Sequence, residues 1–135
     1  MEARETKTKI RRFTDLDAWK EGHKFLLMVY KASNSFPKEE QFGLTNQIRR
    51  AAVSITSNIA EGFSRSSYKE KTQFYLISLG SLTEAQNQLL IGRDVKYLAK
   101  EEFDEIAGQS IIVSKLINGL IKGNRHHGAK ILHNS

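Results

Sequence analysis

The chain contains no cysteine and a single proline, Pro37, and no stretch of it approaches the roughly 18–20 consecutive apolar residues that a membrane-spanning helix needs. Without cysteine there are no disulfides, no thiolate metal sites and no cysteine nucleophile, a composition that fits a reducing cytoplasm. The charged start Met1-Glu2-Ala3-Arg4-Glu5 has no apolar run behind it, so no signal peptide and no membrane association are expected. Near-absence of proline, with little alternation of polar and apolar residues, reads as helix. At 135 residues the chain is long enough to bury a core without a covalent staple.

Charge is present in both signs but unevenly placed. The net charge is +6. Residues 1–12 contribute +3 and residues 122–135 another +3, while residues 13–121 carry 13 basic and 13 acidic side chains. The basic excess therefore sits in the tails, which weakens the usual link between high pI and nucleic acid. The reading is a basic tail over 1–12, one bundle domain over 13–122, and a basic, disordered tail over 123–135.

Hydrophobic periodicity predicts four helices. The first spans about Leu16 to Ser35, capped by Asp15 or Thr14. It has two apolar stripes. Leu16, Trp19, His23, Leu26, Leu27 and Tyr30 are expected to face the bundle, with His23 buried. Ala18, Phe25, Val29, Ala32 and Phe36 lie opposite and are the oligomer-interface candidates, since a lone bundle needs only one apolar face per helix. Phe36-Pro37 ends this helix.

The second helix spans about Glu40 to Arg65, with Leu44, Ile48, Ala51, Ala52, Ile55, Ile59 and Phe63 as its core stripe. The third opens with a capping box, Ser67-Tyr68-Lys69-Glu70, and runs to about Gly92. Gly80, which costs about 1 kcal/mol relative to alanine in mid-helix, is expected to allow close approach of another helix. The fourth spans Lys100 to Lys122, with acidic residues in its first turns and Gly123-Asn124 at its end. Short connections between long amphipathic helices give the expected fold: all-α, an antiparallel up-down-up-down four-helix bundle.

Several runs carry a family resemblance. They are Phe13-Thr14-Asp15-Leu16 with Trp19, Phe36-Pro37 with Glu39 or Glu40, Gly43-Leu44, and Gln47-Ile48-Arg49-Arg50-Ala51-Ala52. The most specific are Ser54-Ile55 with Ser57-Asn58-Ile59-Ala60-Glu61-Gly62, and Gly80-Ser81-Leu82-Thr83-Glu84; Ser64-Arg65 and Lys69-Glu70 lie between them. Over residues 13–122 the chain resembles the four-helix-bundle proteins encoded within intervening sequences of bacterial 23S rRNA genes. The resemblance implies a left-handed antiparallel bundle assembled as a homopentameric ring, and a connection to RNA. A relative of that family is the accessory protein of diversity-generating retroelements, whose own role is not carried over to this chain.

Gln47, Arg50, Ser54, Asn58, Glu61 and Arg65 recur at helical spacing within an arc of about 80°. Gln47, Ser54, Asn58 and Glu61 read as a hydrogen-bonded seam between helices or subunits, the commoner role of a polar stripe beside a core stripe; a ligand-facing groove is the alternative. Arg49, Arg50, Arg65, Lys69, Lys71 and Arg93 are the nucleic-acid-binding candidates. A small excess of charge repeated around a ring becomes a basic belt for RNA or DNA.

No constellation of nucleophile, base and acid stands at helical reach, and no phosphate loop or paired Glu-x-x-His motif is present, so no enzyme activity, cofactor or metal is expected. His126, His127 and His133 read as tail residues. Two functions remain open: an RNA-associated oligomer, or a scaffold docking a partner protein.

Overall fold

A computed structural model describes the backbone of residues 9–134 and the side chains of residues 9–128. A 3-10 turn, Phe13–Asp15, leads into α1 (Asp17–Ser33); a second such turn, Lys38–Glu40, leads into α2 (Leu44–Ser64). Then come α3 (Tyr68–Asp94) and α4 (Lys100–Asn134). Each helix packs against two others, α1 on α2, α2 on α3, α3 on α4 and α4 on α1. The diagonal pairs make no backbone approach among the described residues. The result is the expected antiparallel four-helix bundle.

The core is built from one stripe per helix. Phe25 and Val29 of α1, Ile48, Ala52, Ile55 and Ile59 of α2, Leu82, Ala85 and Leu89 of α3, and Ile106, Val113 and Ile117 of α4 are all buried. Each fully buried large aliphatic or aromatic side chain contributes about 1.5–3 kcal/mol relative to exposure.

The faces of α1 depart from the sequence expectation. Ala18, Phe25, Val29, Ala32 and Phe36, read as the subunit interface, are buried in the chain's own core. Leu27 and Tyr30, read as core, are exposed, and His23 is half-buried, stacked on Trp19 at 4.7 Å between ring centroids. The reason is Gly22. It continues the Ala18–Phe25 stripe, and a Cβ there would sit 3.2 Å from Thr56 Cγ2. A residue without a side chain lets α1 approach α2 this closely without displacing Thr56. Of the other stripe, Leu16 is in the core and Trp19 and Leu26 are half-buried against it.

Gly80, expected at a helix contact, is exposed, and a Cβ added there would meet nothing within 4 Å. The close approaches fall instead at Gly22, at Gly62, which abuts Tyr75, and at Gly92, which abuts Leu98.

Interhelical hydrogen bonds set the register. Ser78 Oγ donates to Ile55 O at 2.8 Å, and the Ser54 and Ser81 hydroxyls meet at 2.7 Å, both between α2 and α3. Gln86 Nε2 donates to Ser110 Oγ at 2.9 Å between α3 and α4. Gln109 Nε2 reaches Glu21 O at 2.9 Å and Glu21 Oε1 at 2.8 Å, joining α4 to α1. A buried polar group that is paired costs little, whereas a wrong register would leave it unpaired, so these bonds discriminate one packing from its neighbours.

Helix ends partly follow the sequence reading. Ser67 caps α3, accepting from Glu70 N at 3.1 Å, while Glu70 Oε1 accepts from the Ser67 hydroxyl at 3.3 Å instead of from the cap amide. Neither Thr14 nor Asp15 caps α1. Asp15 accepts from Arg11 N and Arg12 N, each at 3.0 Å, and so closes the 3-10 turn that precedes it; Leu16 stands at the helix N-cap. These backbone donors hold the Asp15 carboxyl below its ordinary range. α4 does not stop at Gly123 but continues to Asn134. Glycine lowers helix stability without forbidding a helix, and no proline follows to force an end. Of the basic N-terminal tail, residues 1–8 lie outside the described residues.

Candidate interaction surface

α2 presents a polar edge beside its core stripe, as its spacing requires, and the inner part of that edge is a seam. Besides the Ser54–Ser81 contact, Asn58 Nδ2 donates to Ser54 O at 2.8 Å and to Ser54 Oγ at 3.0 Å. Glu61 pairs with Arg65 at 3.0 Å, one turn along the same helix. The outer part is open: Gln47 and Arg50 are exposed and line a shallow groove with Asn46 and Glu84. Of the polar edge, Ser54 alone bonds to another helix among the described residues; Asn58 and Glu61 bond along α2 to Ser54 and Arg65, and Gln47 and Arg50 face solvent.

Most of the six basic candidates have structural work. Arg49 Nε donates to Ser33 Oγ at 2.8 Å, its Nη2 donates to Asn34 Oδ1 at 3.0 Å and Tyr30 O at 3.3 Å, and its guanidinium lies 4.6 Å from the Tyr30 ring centroid. It ties α2 to the C-terminal end of α1, where the unpaired carbonyls and the helix dipole favour a cation. Lys71 Nζ donates to Phe63 O at 2.6 Å, satisfying a carbonyl at the end of α2. Burial lowers the pKa of this amine. Arg65 stacks on Phe74 at 4.6 Å, and Arg93 on Phe103 at 4.9 Å while pairing with Asp94 at 2.8 Å. Only Arg50 and Lys69 are exposed without a side-chain partner among the described residues. The six do not form one belt on a subunit. They are distributed along α2 and both ends of α3.

The histidines near the C-terminus are placed by helix continuation. His127 stacks on Tyr68 at 5.2 Å, and His126 lies 6.1 Å from His127, ring to ring. The side chain of His133 lies outside the described residues. Among the described residues no three His, Cys, Asp or Glu side chains gather to hold a metal ion, and no helix is long and apolar enough to cross a membrane.

What the sequence reading missed is the apolar surface left outside the core. Phe42, in the connection between α1 and α2, is 87% exposed. Leu27, Tyr30 and Val53 are exposed on α1 and α2, and Leu90, Ile91, Ile111 and Ile112 on α3 and α4. Between α3 and α4 lies an almost wholly apolar slot of about 290 Å³, lined by Leu89, Leu90, Phe103, Ala107, Gly108 and Ile111. The signal was available in part: Leu90 and Ile111 each stand one residue beyond a core position, so each helix carries an apolar stripe wider than one packed face requires.

Comparison with known proteins places this architecture. Comparison with curated proteins gives no match. The chain is similar in fold to the crystal structure of a Bacteroides thetaiotaomicron protein of unknown function from the S23 ribosomal protein family. That likeness has a TM-score of 0.72 at 22% identity and covers 78% of this chain and 98% of the other. Residues 14–119 match the family model described as 23S rRNA-intervening sequence protein, over nearly the whole length of the bundle. The chain belongs to the 23S rRNA-intervening sequence protein family.

Proposed function

We propose that this chain is a non-enzymatic, self-assembling scaffold, a cytoplasmic ring of identical bundles, five-fold as the family resemblance implies. The observation that carries the reading is surplus apolar surface on two opposite sides of a bundle whose core is already full. Leu27, Tyr30, Phe42 and Val53 lie on the α1–α2 side, and the slot at Leu90 and Ile111 lies on the α3–α4 side. Large exposed apolar patches mark interaction sites, and different patches on opposite faces suit head-to-tail contacts, which close into rings when the rotation between copies allows. A non-catalytic role fits the hydroxyls of Ser54, Ser78, Ser81 and Ser110, which are all engaged in holding helices together. Light scattering on the full chain at micromolar concentration tests the reading. A discrete oligomer is expected; a folded lone subunit at that concentration overturns it.

RNA contact is the second reading, supported by the exposed Arg50 and Lys69 and by the basic termini, which a ring would repeat around its axis. Such binding acts through phosphate neutralisation and weakens steeply with salt. Filter retention of a structured RNA across a salt series, for wild type and the Arg50→Glu/Lys69→Glu double variant, tests it. A shallower salt slope in the variant supports RNA contact through the bundle, equal retention in both removes Arg50 and Lys69 from it, and no retention at low salt removes RNA contact altogether and leaves a docked partner protein as the alternative.

A further inference from the structure

Phe42 is the most exposed large apolar side chain among the described residues, and the α3–α4 slot is an almost wholly apolar recess. They cannot meet within one chain. The helices form a closed square in which the α1–α2 edge, which carries Phe42, lies opposite the α3–α4 edge, which carries the slot.

The register bonds show that the knob stands level with the outer, Phe103 end of the slot. Ser54 faces Ser81, so Leu44, ten residues earlier on the descending α2, stands level with Ile91, ten residues later on the ascending α3. Gln86 faces Ser110, which carries that level across to about Glu105 on α4, within the Phe103–Ala107 wall of the slot. Phe42 precedes Leu44 by two residues and so projects about level with Phe103, at the outer end of the slot.

We propose that Phe42 of one copy seats in the slot between α3 and α4 of the next copy. This rests on the assembly reading above and names its contact. The occupant is a second copy of this chain because knob and slot lie on opposite edges at overlapping heights. A rotation about an axis near-parallel to the bundle then brings each Phe42 onto the outer end of the neighbouring slot with little sliding along that axis, as a ring requires. Both rims carry mixed charge: Lys38, Glu39 and Glu40 precede the knob in the connection, and Arg93, Lys96, Lys100 and Asp104 lie around the Phe103 wall.

Sedimentation analysis of the full chain tests the contact with two variants that leave the fold alone. Phe42→Asp removes an exposed knob. Gly108→Arg blocks the slot at a position with open space for a Cβ. Each is expected to weaken self-association about 30-fold or more, the effect of losing a central aromatic anchor. Mixed in equal amounts, they are expected to form a one-to-one pair that grows no further, since one retains a working slot and the other a working knob. Wild-type assembly in both variants, or no pairing on mixing, overturns the proposed contact while leaving the scaffold reading intact. A monomeric wild type overturns both.

Discussion

Tyr97, in the connection between α3 and α4, donates its hydroxyl to Glu40 Oε2 at 3.0 Å, and the other oxygen of the same carboxylate accepts from Leu44 N, the first amide of α2, also at 3.0 Å. One side chain thus caps a helix and pins the two connections at one end of the bundle together. The Leu44 amide, and after it the Tyr97 hydroxyl, hold the Glu40 carboxyl below its ordinary value of 4.5. Glu40 in turn raises the Tyr97 phenol above its ordinary value of 10.0.

The sign of the pH dependence follows. A depressed carboxylate contributes stability that is fully present above pH 4.5 and is lost as pH falls through its lower folded value. A raised phenol contributes stability present below pH 10.0 and lost as pH rises through its higher folded value. Glu40→Gln should therefore melt at lower temperature than wild type at neutral pH, with the difference shrinking in acid. Tyr97→Phe should lose the alkaline component. Thermal melts from pH 3 to 11 check both, and a pH-independent difference would show that the pair's charge is irrelevant.

Lys96 occupies the left-handed region, φ 73°, at the end of α3. The backbone closes there in a Schellman arrangement: Tyr97 N donates to Gly92 O at 2.9 Å and Lys96 N to Arg93 O at 3.1 Å. Glycine is the usual residue at this position because a Cβ is crowded by the following carbonyl. Lys96→Gly should raise stability by about 1 kcal/mol in chemical denaturation. A loss of that size would mean that the lysine side chain makes a contact outweighing the backbone strain.

Gly62 and Gly80 predict opposite outcomes for the same substitution. A Cβ at Gly62 would lie 2.7 Å from Cε1 and 3.0 Å from Cδ1 of the buried Tyr75 ring, whereas at Gly80 it would meet nothing. Gly62→Ala should destabilise by about 1–3 kcal/mol through overpacking. Gly80→Ala should stabilise by up to about 1 kcal/mol through helix propensity. Urea titrations of the two variants side by side decide this, and equal effects would contradict the packing at Gly62.

Arg49 holds Ser33, Asn34 and the Tyr30 carbonyl from one planar guanidinium. A lysine cannot reproduce that fork. Arg49→Lys should cost about 1–2 kcal/mol of stability although charge is conserved. RNA retention by the folded variant should be unchanged at any salt concentration, because the charge is conserved and this cation is tied to the end of α1. A stable Arg49→Lys protein with weakened retention would reassign Arg49 to the binding surface.

The fold was largely readable in the residues themselves. The stripe from Ile48 to Ile59 on α2, the serine cap at Ser67 and the proline after Phe36 locate helices because each acts through local periodicity or local backbone chemistry. The four-helix class follows from them. The candidate site was less readable. Arg49 and Lys71 look on a helical wheel like solvent-facing cations; only the folded chain places the open carbonyl ends of α1 and α2 beside them.

The face of α1 shows where the boundary lies. Sequence periodicity determined that this helix has two apolar stripes. It could not determine which one turns inward, because both satisfy the same spacing and the choice depends on how closely the partner helix can approach. Gly22 against Thr56 made that choice. Likewise the sequence determined that Phe42 and the Leu90–Ile111 residues are apolar, while their arrangement on opposite edges was decided only when interhelical hydrogen bonds fixed the register, a long-range relation that no local pattern encodes.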